Sequence, residues 1–311
     1  MSNKQGENVV ITLGDPSGCG PEITFRALNS IIDLPVNFWV VGDRYIAEQI
    51  PEYQPIKNRI SFLNSSTKDI EKIKRGSISK LAGQASLNYL EKALSLISKN
   101  GYKRLVTAPV SKEAVSLIRP GFSGHTEFLR DYFKLDQVVM LMFSQKIKTV
   151  LLTRHIQLDK IKDALSKDFV LNTINLTHSF FKKQLKIDKP NIAVASVNPH
   201  AGRDTFMDRE EKIITTAIDE SEKNIYGPYP ADTLFTKDNL KKFDCIIAAY
   251  HDQGMIPFKL LSFSSGVNIT LGLPIVRTSP DHGVAYDLVK SNPEAIFHSS
   301  MEEAIKRSLE L

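Results

Sequence analysis

The chain has 311 residues, 42% of them hydrophobic, with 40 Lys and Arg against 35 Asp and Glu for a net charge of +5. Its basic clusters sit beside acids and carry no aromatic-interleaved basic motif, so the mild positive bias is read as compatible with a small anionic substrate, and no nucleic acid partner is expected. Cys19 and Cys245 form neither a disulfide framework nor a zinc pattern, and no stretch approaches a membrane span or a signal peptide, so a soluble cytoplasmic protein with reduced thiols is expected.

Strand-like and helix-like segments alternate from end to end, without low-complexity linkers or repeats. VVITLG (9–14) reads as a strand, followed by a Gly/Pro turn and the helix PEITFRALNSI. NFWVVGD (37–43) is a second strand, with Trp39 expected in the core. Residues 81–101 have helical rhythm and stop at Gly101, and RLVTAP (104–109) is a strand before a helix capped by Ser111. Residues 137–153 read as two strands around a polar turn at Ser144 to Lys146. A helical stretch follows at 158–185, then a strand at 191–198 and an amphipathic helix at 208–224. CIIAAY (245–250) is a buried strand, and the C-terminal NPEAIFHSSMEEAIKRSLEL is helical again. The pattern predicts an α/β fold with a largely parallel or mixed sheet, in two domains separated by a cleft.

Three histidines sit where loops should follow strands: His155 after KTVLLTR, His200 after NIAVASVNP and His251 after CIIAAY. A strand end fixes an imidazole well, so the three together suggest a divalent-metal site on nitrogen donors, although such long spacing is no motif by itself. From His251, the residues Lys259, Asn268 and Arg277 follow at intervals of eight, nine and nine. An ammonium, an amide and a guanidinium make a set suited to a phosphate or carboxylate. GHTEFL puts His125 and Thr126 at the start of a helix, where free N–H groups can seat an anion. GDPSGCGPE (14–22) is a tight strand-to-helix turn and matches no standard nucleotide motif. His178 and His298 are expected to be structural or surface groups.

Taken together, GDPSGCGPE, GHTEFL, NPHAG, GPYPADTLF, YHDQG and GVNITLGLPIVRTSPDHG resemble the 4-hydroxythreonine-4-phosphate dehydrogenase family of pyridoxal phosphate biosynthesis, over about Val9 to Leu288. The resemblance implies a two-domain fold like that of isocitrate and isopropylmalate dehydrogenases. Domain limits near 1–125 plus 267–311 and 126–266 follow by analogy. It also implies a homodimer with the site at the subunit interface, NAD or NADP as cofactor, and a divalent metal such as Zn, Mg or Co. By the same resemblance the metal ligands fall on His155, His200 and His251, and the substrate contacts on His125, Thr126, Lys259, Asn268 and Arg277. Asp232 and His282 are the candidate cofactor contacts. The implied substrate is a small phosphorylated hydroxy-amino acid, 4-phosphooxy-L-threonine, oxidised to a β-keto acid that decarboxylates to 3-amino-2-oxopropyl phosphate. Phospho-threonate or phospho-erythronate dehydrogenation is the nearest alternative, and a non-catalytic phosphometabolite-binding protein the more distant one. The general base stays open among His125, Lys259, Asp252 and a metal-bound water. Two departures from the family pattern stand out: Val284 and Val289–Lys290 in the loop after DHG, and Arg203, Asp204 and Asp208 after NPHAG.

Overall fold

In the computed structural model, residues 7–202 and 209–311 are described. Arg203, Asp204 and Asp208 therefore lie outside the described residues, as does the start of the helix expected at 208. The chain forms two compact units, Met1–Lys134 with Leu273–Leu311, and Leu135–Gly272.

In chain order the first unit supplies β1 (Glu7–Thr12), α1 (Gly20–Ile31), β2 (Val36–Gly42), α2 (Arg44–Glu48), β3 (Ser61–Asn64), α3 (Lys80–Asn100), β4 (Arg104–Thr107), α4 (Lys112–Ser116) and α5 (His125–Tyr132). The second contains β5 (Val139–Phe143), β6 (Lys148–Leu151), α6 (Ile161–Ala164), α7 (Lys167–Lys183), β7 (Ile192–Ala195), α8 (Arg209–Ser221), β8 (Ile225–Tyr229), α9 (Ala231–Leu234), α10 (Lys237–Lys242), β9 (Cys245–Ala248), α11 (His251–Ser262) and β10 (Val267–Leu271). The chain returns to the first unit with β11 (Val276–Pro280), α12 (Tyr286–Ser291) and α13 (Ser299–Glu310).

In the first unit, β3, β2, β1, β4 and β11 lie side by side and all pair in parallel. Val9, Val10, Ile11, Leu105 and Val106 are fully buried, as parallel strands covered on both faces require. The turn after β1 needs Gly14. Its φ is +69°, and a Cβ there would lie 2.3 Å from the Pro109 carbonyl oxygen. Gly101 closes α3 in the left-handed region, and the Ser111 hydroxyl accepts from Ala114 N–H at 3.0 Å to start α4, both as the sequence leads one to expect.

The second unit has a mixed sheet. β10 pairs antiparallel with β5, and β5 with β6 across the turn at Ser144. β6, β9, β7 and β8 then follow as parallel neighbours. α11 packs on this sheet through Gly254, where a Cβ would meet Leu151, Thr149 and Ala248 side-chain atoms at 2.6–2.9 Å.

The helical segments expected over 158–185 are present, with a break where Leu165 turns extended (ψ 121°) and Ser166 caps a new helix, accepting from Phe169 N–H at 3.3 Å. Two sequence expectations need correction. Trp39 is half-buried, with its Nε1–H donating to Asn8 Oδ1 at 3.1 Å and its ring leaning on Tyr102. The C-terminal stretch has one 3-10 turn at Pro293–Ala295 and becomes α-helical only from Ser299, because Ile296 is extended. His298 thus precedes α13. Among the described residues no helix is long and apolar enough to cross a membrane.

Candidate functional site

The topology of the second unit explains the histidine pattern. β6, β9 and β7 are adjacent and parallel, so their carboxyl ends open on one edge of the sheet, the usual ligand side of such sheets. His155 follows β6, His251 follows β9 and His200 follows β7. The rings of His155 and His251 lie 5.4 Å apart between centroids, tilted by 42°. His200 takes a left-handed backbone conformation (φ 56°), as does Ala201 after it, a cost of order 1 kcal/mol typical of positions where geometry matters more than local comfort. His251 is the first residue of α11, not a loop residue after the strand. Its Nδ1 lies 2.7 Å from the Asp252 carboxylate. That contact favours the proton on Nδ1 and leaves Nε2 with a free lone pair, the way ligating imidazoles are oriented.

Among the described residues no group of three His, Cys, Asp or Glu side chains is assembled for a metal. What the structure brings together is the His155/His251 pair. Two imidazoles at this separation, one oriented by a carboxylate, fit a divalent ion that takes nitrogen ligands.

Elsewhere in this unit, Lys259 lies on α11 with its Nζ 5.2 Å from the centre of the Phe263 ring. Asn268 lies on β10 opposite Met142. Its Oδ1 is buried with no hydrogen-bond partner, a state that costs free energy until a donor arrives. Asp232 is exposed in the first turn of α9. The carboxylate is free to accept from sugar hydroxyls, though nothing there fixes its orientation.

The first unit gathers the other anion-binding residues. Arg277, on β11, is only 2% exposed. Its Nε and Nη2 donate to the buried Thr107 hydroxyl on β4 at 3.2 and 2.7 Å. Burial pushes the guanidinium down from the usual 12.5 to about 10, partly offset by the Glu127 carboxylate. Thr126 is buried in the first turn of α5, whose cap, Gly124, brings no side-chain hydrogen bond. His125 is held well below the usual histidine value, first by burial and then by the charges of Arg277 and Lys112. Its Nε2 is buried and has no partner. A neutral imidazole nitrogen, a hydroxyl, uncapped helix N–H groups and a guanidinium can together receive an oxyanion.

The loop after Asp281 is anchored despite its departures from the family pattern. Cys19 N–H donates to the Val284 carbonyl at 2.8 Å, and the Tyr286 hydroxyl donates to the buried Asp15 carboxylate at 2.6 Å. A Cβ on Gly18 would meet Val284 at 2.9 Å. His282 is exposed at the tip. A pinned loop with a polar exposed tip fits a cofactor contact. Burial raises Asp15 and pushes the Cys19 thiol up to about 12, so this cysteine is inert.

Lys112, Thr107, Glu127 and Tyr286 were not legible as site residues. Lys112 opens α4, and its Cε passes 3.2 Å from where a Gly124 side chain would begin. Nothing in PVSKEAV announces that approach. Only the glycine before HTEFL hints that something must come close.

The family described as pyridoxal phosphate biosynthetic protein PdxA matches residues 28–308. The chain is 36% identical to a 4-hydroxythreonine-4-phosphate dehydrogenase of Desulforapulum autotrophicum, covering 89% of this chain and 88% of that one. It is 34% identical to a D-threonate 4-phosphate dehydrogenase of Salmonella typhimurium, covering 98% and 99%. Among solved structures, a putative 4-hydroxythreonine-4-phosphate dehydrogenase from Salmonella typhimurium superposes with a TM-score of 0.84 at 33% identity, over 98% and 99% of the two chains. Isocitrate dehydrogenase from Methylococcus capsulatus shares the fold alone, with a TM-score of 0.56 at 13% identity, over 98% of this chain and 85% of that one. The chain belongs to the PdxA family.

Proposed function

We propose that this family member is an NAD-dependent, divalent-metal-dependent dehydrogenase of 4-phosphooxy-L-threonine. It would oxidise the secondary alcohol to a β-keto acid that loses CO₂ to give 3-amino-2-oxopropyl phosphate. The observation that carries the reading is the His155/His251 pair, with rings 5.4 Å apart after the adjacent parallel strands β6 and β9, while His200 follows the neighbouring strand β7.

In this reading His155, His200 and His251 would hold the metal, which when bound would supply a Lewis acid for the substrate oxygen. NAD or NADP, when bound, would supply the hydride acceptor, with His282 and Asp232 as candidate contacts. Asp252 keeps the His251 imidazole in the ligating tautomer. Arg277, Lys259 and Thr126 bind the phosphate or carboxylate, and the unsatisfied atoms His125 Nε2 and Asn268 Oδ1 gain the hydrogen bonds that they lack. Because His125 is neutral, it can accept a proton from a substrate hydroxyl or ammonium group.

Self-association belongs to the same reading. α11 begins at His251 and leaves Ile256, Leu260 and Phe263 exposed at 62%, 82% and 75%. Their spacing of four and three residues puts them on one helical face. Ile156 and Leu158, just after His155, are exposed as well. Apolar surface beside the candidate metal ligands is what an interfacial site in a homodimer requires. The two buried, unpaired cysteines fit a reducing, cytoplasmic setting.

D-threonate 4-phosphate is a second candidate substrate, favoured by the near-complete overlap with the Salmonella typhimurium enzyme of that name. The test is NADH formation from each substrate with NAD⁺ and added Zn²⁺, Mg²⁺ or Co²⁺, repeated with EDTA. Metal-dependent turnover of 4-phosphooxy-L-threonine, lost in His200→Ala together with bound metal measured by mass spectrometry, supports the proposal. Turnover of the amino-free acid alone reassigns the substrate. No turnover of either with any metal refutes the dehydrogenase reading.

A further inference from the structure

A separate basic pocket lies in the second unit, among residues that the proposed chemistry does not use. It is a cavity of about 640 Å³, within the range of small-ligand sites. One wall is the polar side of α7. The buried stripe of that helix is Val170, Thr173, Ile174, Thr177 and Phe181, and the rows beside it turn His178, Lys182 and their neighbours into the cavity. Lys223, from the turn after α8, lines the cavity as well.

The placement of Lys223 is specific. Glu222 just before it takes a left-handed conformation (φ 52°), unfavourable for a residue with a side chain. The Lys223 ammonium is then held by Asn175 Oδ1 at 2.7 Å and the Ser221 carbonyl at 2.9 Å. The chain thus accepts local backbone cost and fixes a cation over α7 without using a carboxylate. Lys182 and Lys183 come from the last turn of α7, where cations also meet the negative end of the helix dipole. Lys182 pairs loosely with Asp188, at 3.8 Å. The acid that lines the cavity is Asp136, which is exposed. Burial, then the charges of Lys223 and Lys182, hold His178 below its usual value. Leu135 and Leu176 add apolar surface. Three cations, an imidazole and amides around a partly apolar cavity suit a phosphate monoester with a small organic body.

We infer that the cavity between α7 and the Ser221–Lys223 turn is a second binding site, for a small phosphate monoester, distinct from the candidate dehydrogenase site. It draws on none of the residues assigned to turnover, so it stands or falls apart from that reading.

The test uses full-length protein and lysine acetylation followed by peptide mass spectrometry, with glycerol 3-phosphate, inorganic phosphate, sodium sulfate and glycerol as probes. Glycerol 3-phosphate is expected to slow acetylation of Lys182 and Lys223 at least severalfold, with glycerol inert and sulfate at equal ionic strength weaker. Inorganic phosphate protecting as well as the ester would show a site for free phosphate and overturn the ester assignment. The double variant Lys182→Met, Lys223→Met should weaken calorimetric binding of glycerol 3-phosphate at this site by roughly tenfold per ammonium lost. Its melting temperature and substrate KM should stay unchanged, which also verifies folding. Protection should persist in Thr126→Val, which alters the other site. Unchanged lysine reactivity, or equal protection by sulfate, overturns the inference.

Discussion

Replacing Arg277 by Met should make the ligand-free protein more stable while weakening substrate binding. The guanidinium is 2% exposed and lies at about 10 where 12.5 is usual. At ~1.36 kcal/mol per pH unit, burying that charge costs roughly 3 kcal/mol. A cation whose folded-state value is lowered carries this cost in full at every pH below about 10, and sheds it only between 10 and 12.5. Against the gain, Thr107 loses two donors, at 3.2 and 2.7 Å, worth about 1 kcal/mol. Glu127 is only half-buried, so water can take over its solvation. The net expectation is stabilisation by roughly 1–2 kcal/mol, a rise in melting temperature of roughly 2–6 °C, constant from pH 6 to 9. The assay is thermal unfolding of both proteins with and without the phosphorylated substrate, paired with steady-state kinetics. Substrate should raise the midpoint of the parent but hardly that of Arg277→Met, and KM should rise roughly 10- to 150-fold. If the variant melts several degrees lower without ligand, the guanidinium is a net structural support and the reasoning fails.

Leu260→Asp puts a charge on the exposed face of α11, and in a symmetric dimer the substitution acts twice. Each apolar side chain buried there contributes about 1.5–3 kcal/mol, so sedimentation should show a dimer in the parent and a monomer in the variant; equal masses would remove α11 from the interface. His125 gives an acid-limb prediction. Its folded-state value lies below 6.5, so beneath that pH the unfolded chain binds a proton that the folded one refuses, and stability falls. His125→Asn should abolish about 1 kcal/mol of the loss between pH 6.5 and 5.5, measured by urea titration; parallel curves for both proteins would disprove it. Tyr286→Phe removes the hydroxyl that donates to Asp15 at 2.6 Å and leaves that buried carboxylate to backbone donors such as Ser17 N–H at 2.8 Å. A destabilisation of about 1–3 kcal/mol is expected in urea unfolding, and an unchanged midpoint would show that the loop is anchored by its backbone alone.

The alternation of elements was legible because apolar runs such as VVIT and CIIA are short, continuous and bounded by turn residues. Local signals also placed Ser111 as a cap and Gly101 as a stop, since both effects act within one helical turn. The strands β10 and β11 were not legible: VNITL and VRTSP mix polar residues into their runs, and their pairing depends on partners more than a hundred residues away. The exposed stripe on α11 was hidden for a related reason. Pro257 and Gly254 argue against a helix locally, and only packing of Gly254 against β6 and β9 makes one there.

Residue chemistry and order along the chain are properties of the sequence, so the histidines, the cations and the family motifs could be read from it directly. The approach of His155 to His251, the burial that neutralises His125 and loads Arg277 with desolvation cost, and the cavity behind α7 all depend on which strands lie side by side. Strand pairing is a long-range choice made by the whole core, and tertiary structure alone decided it.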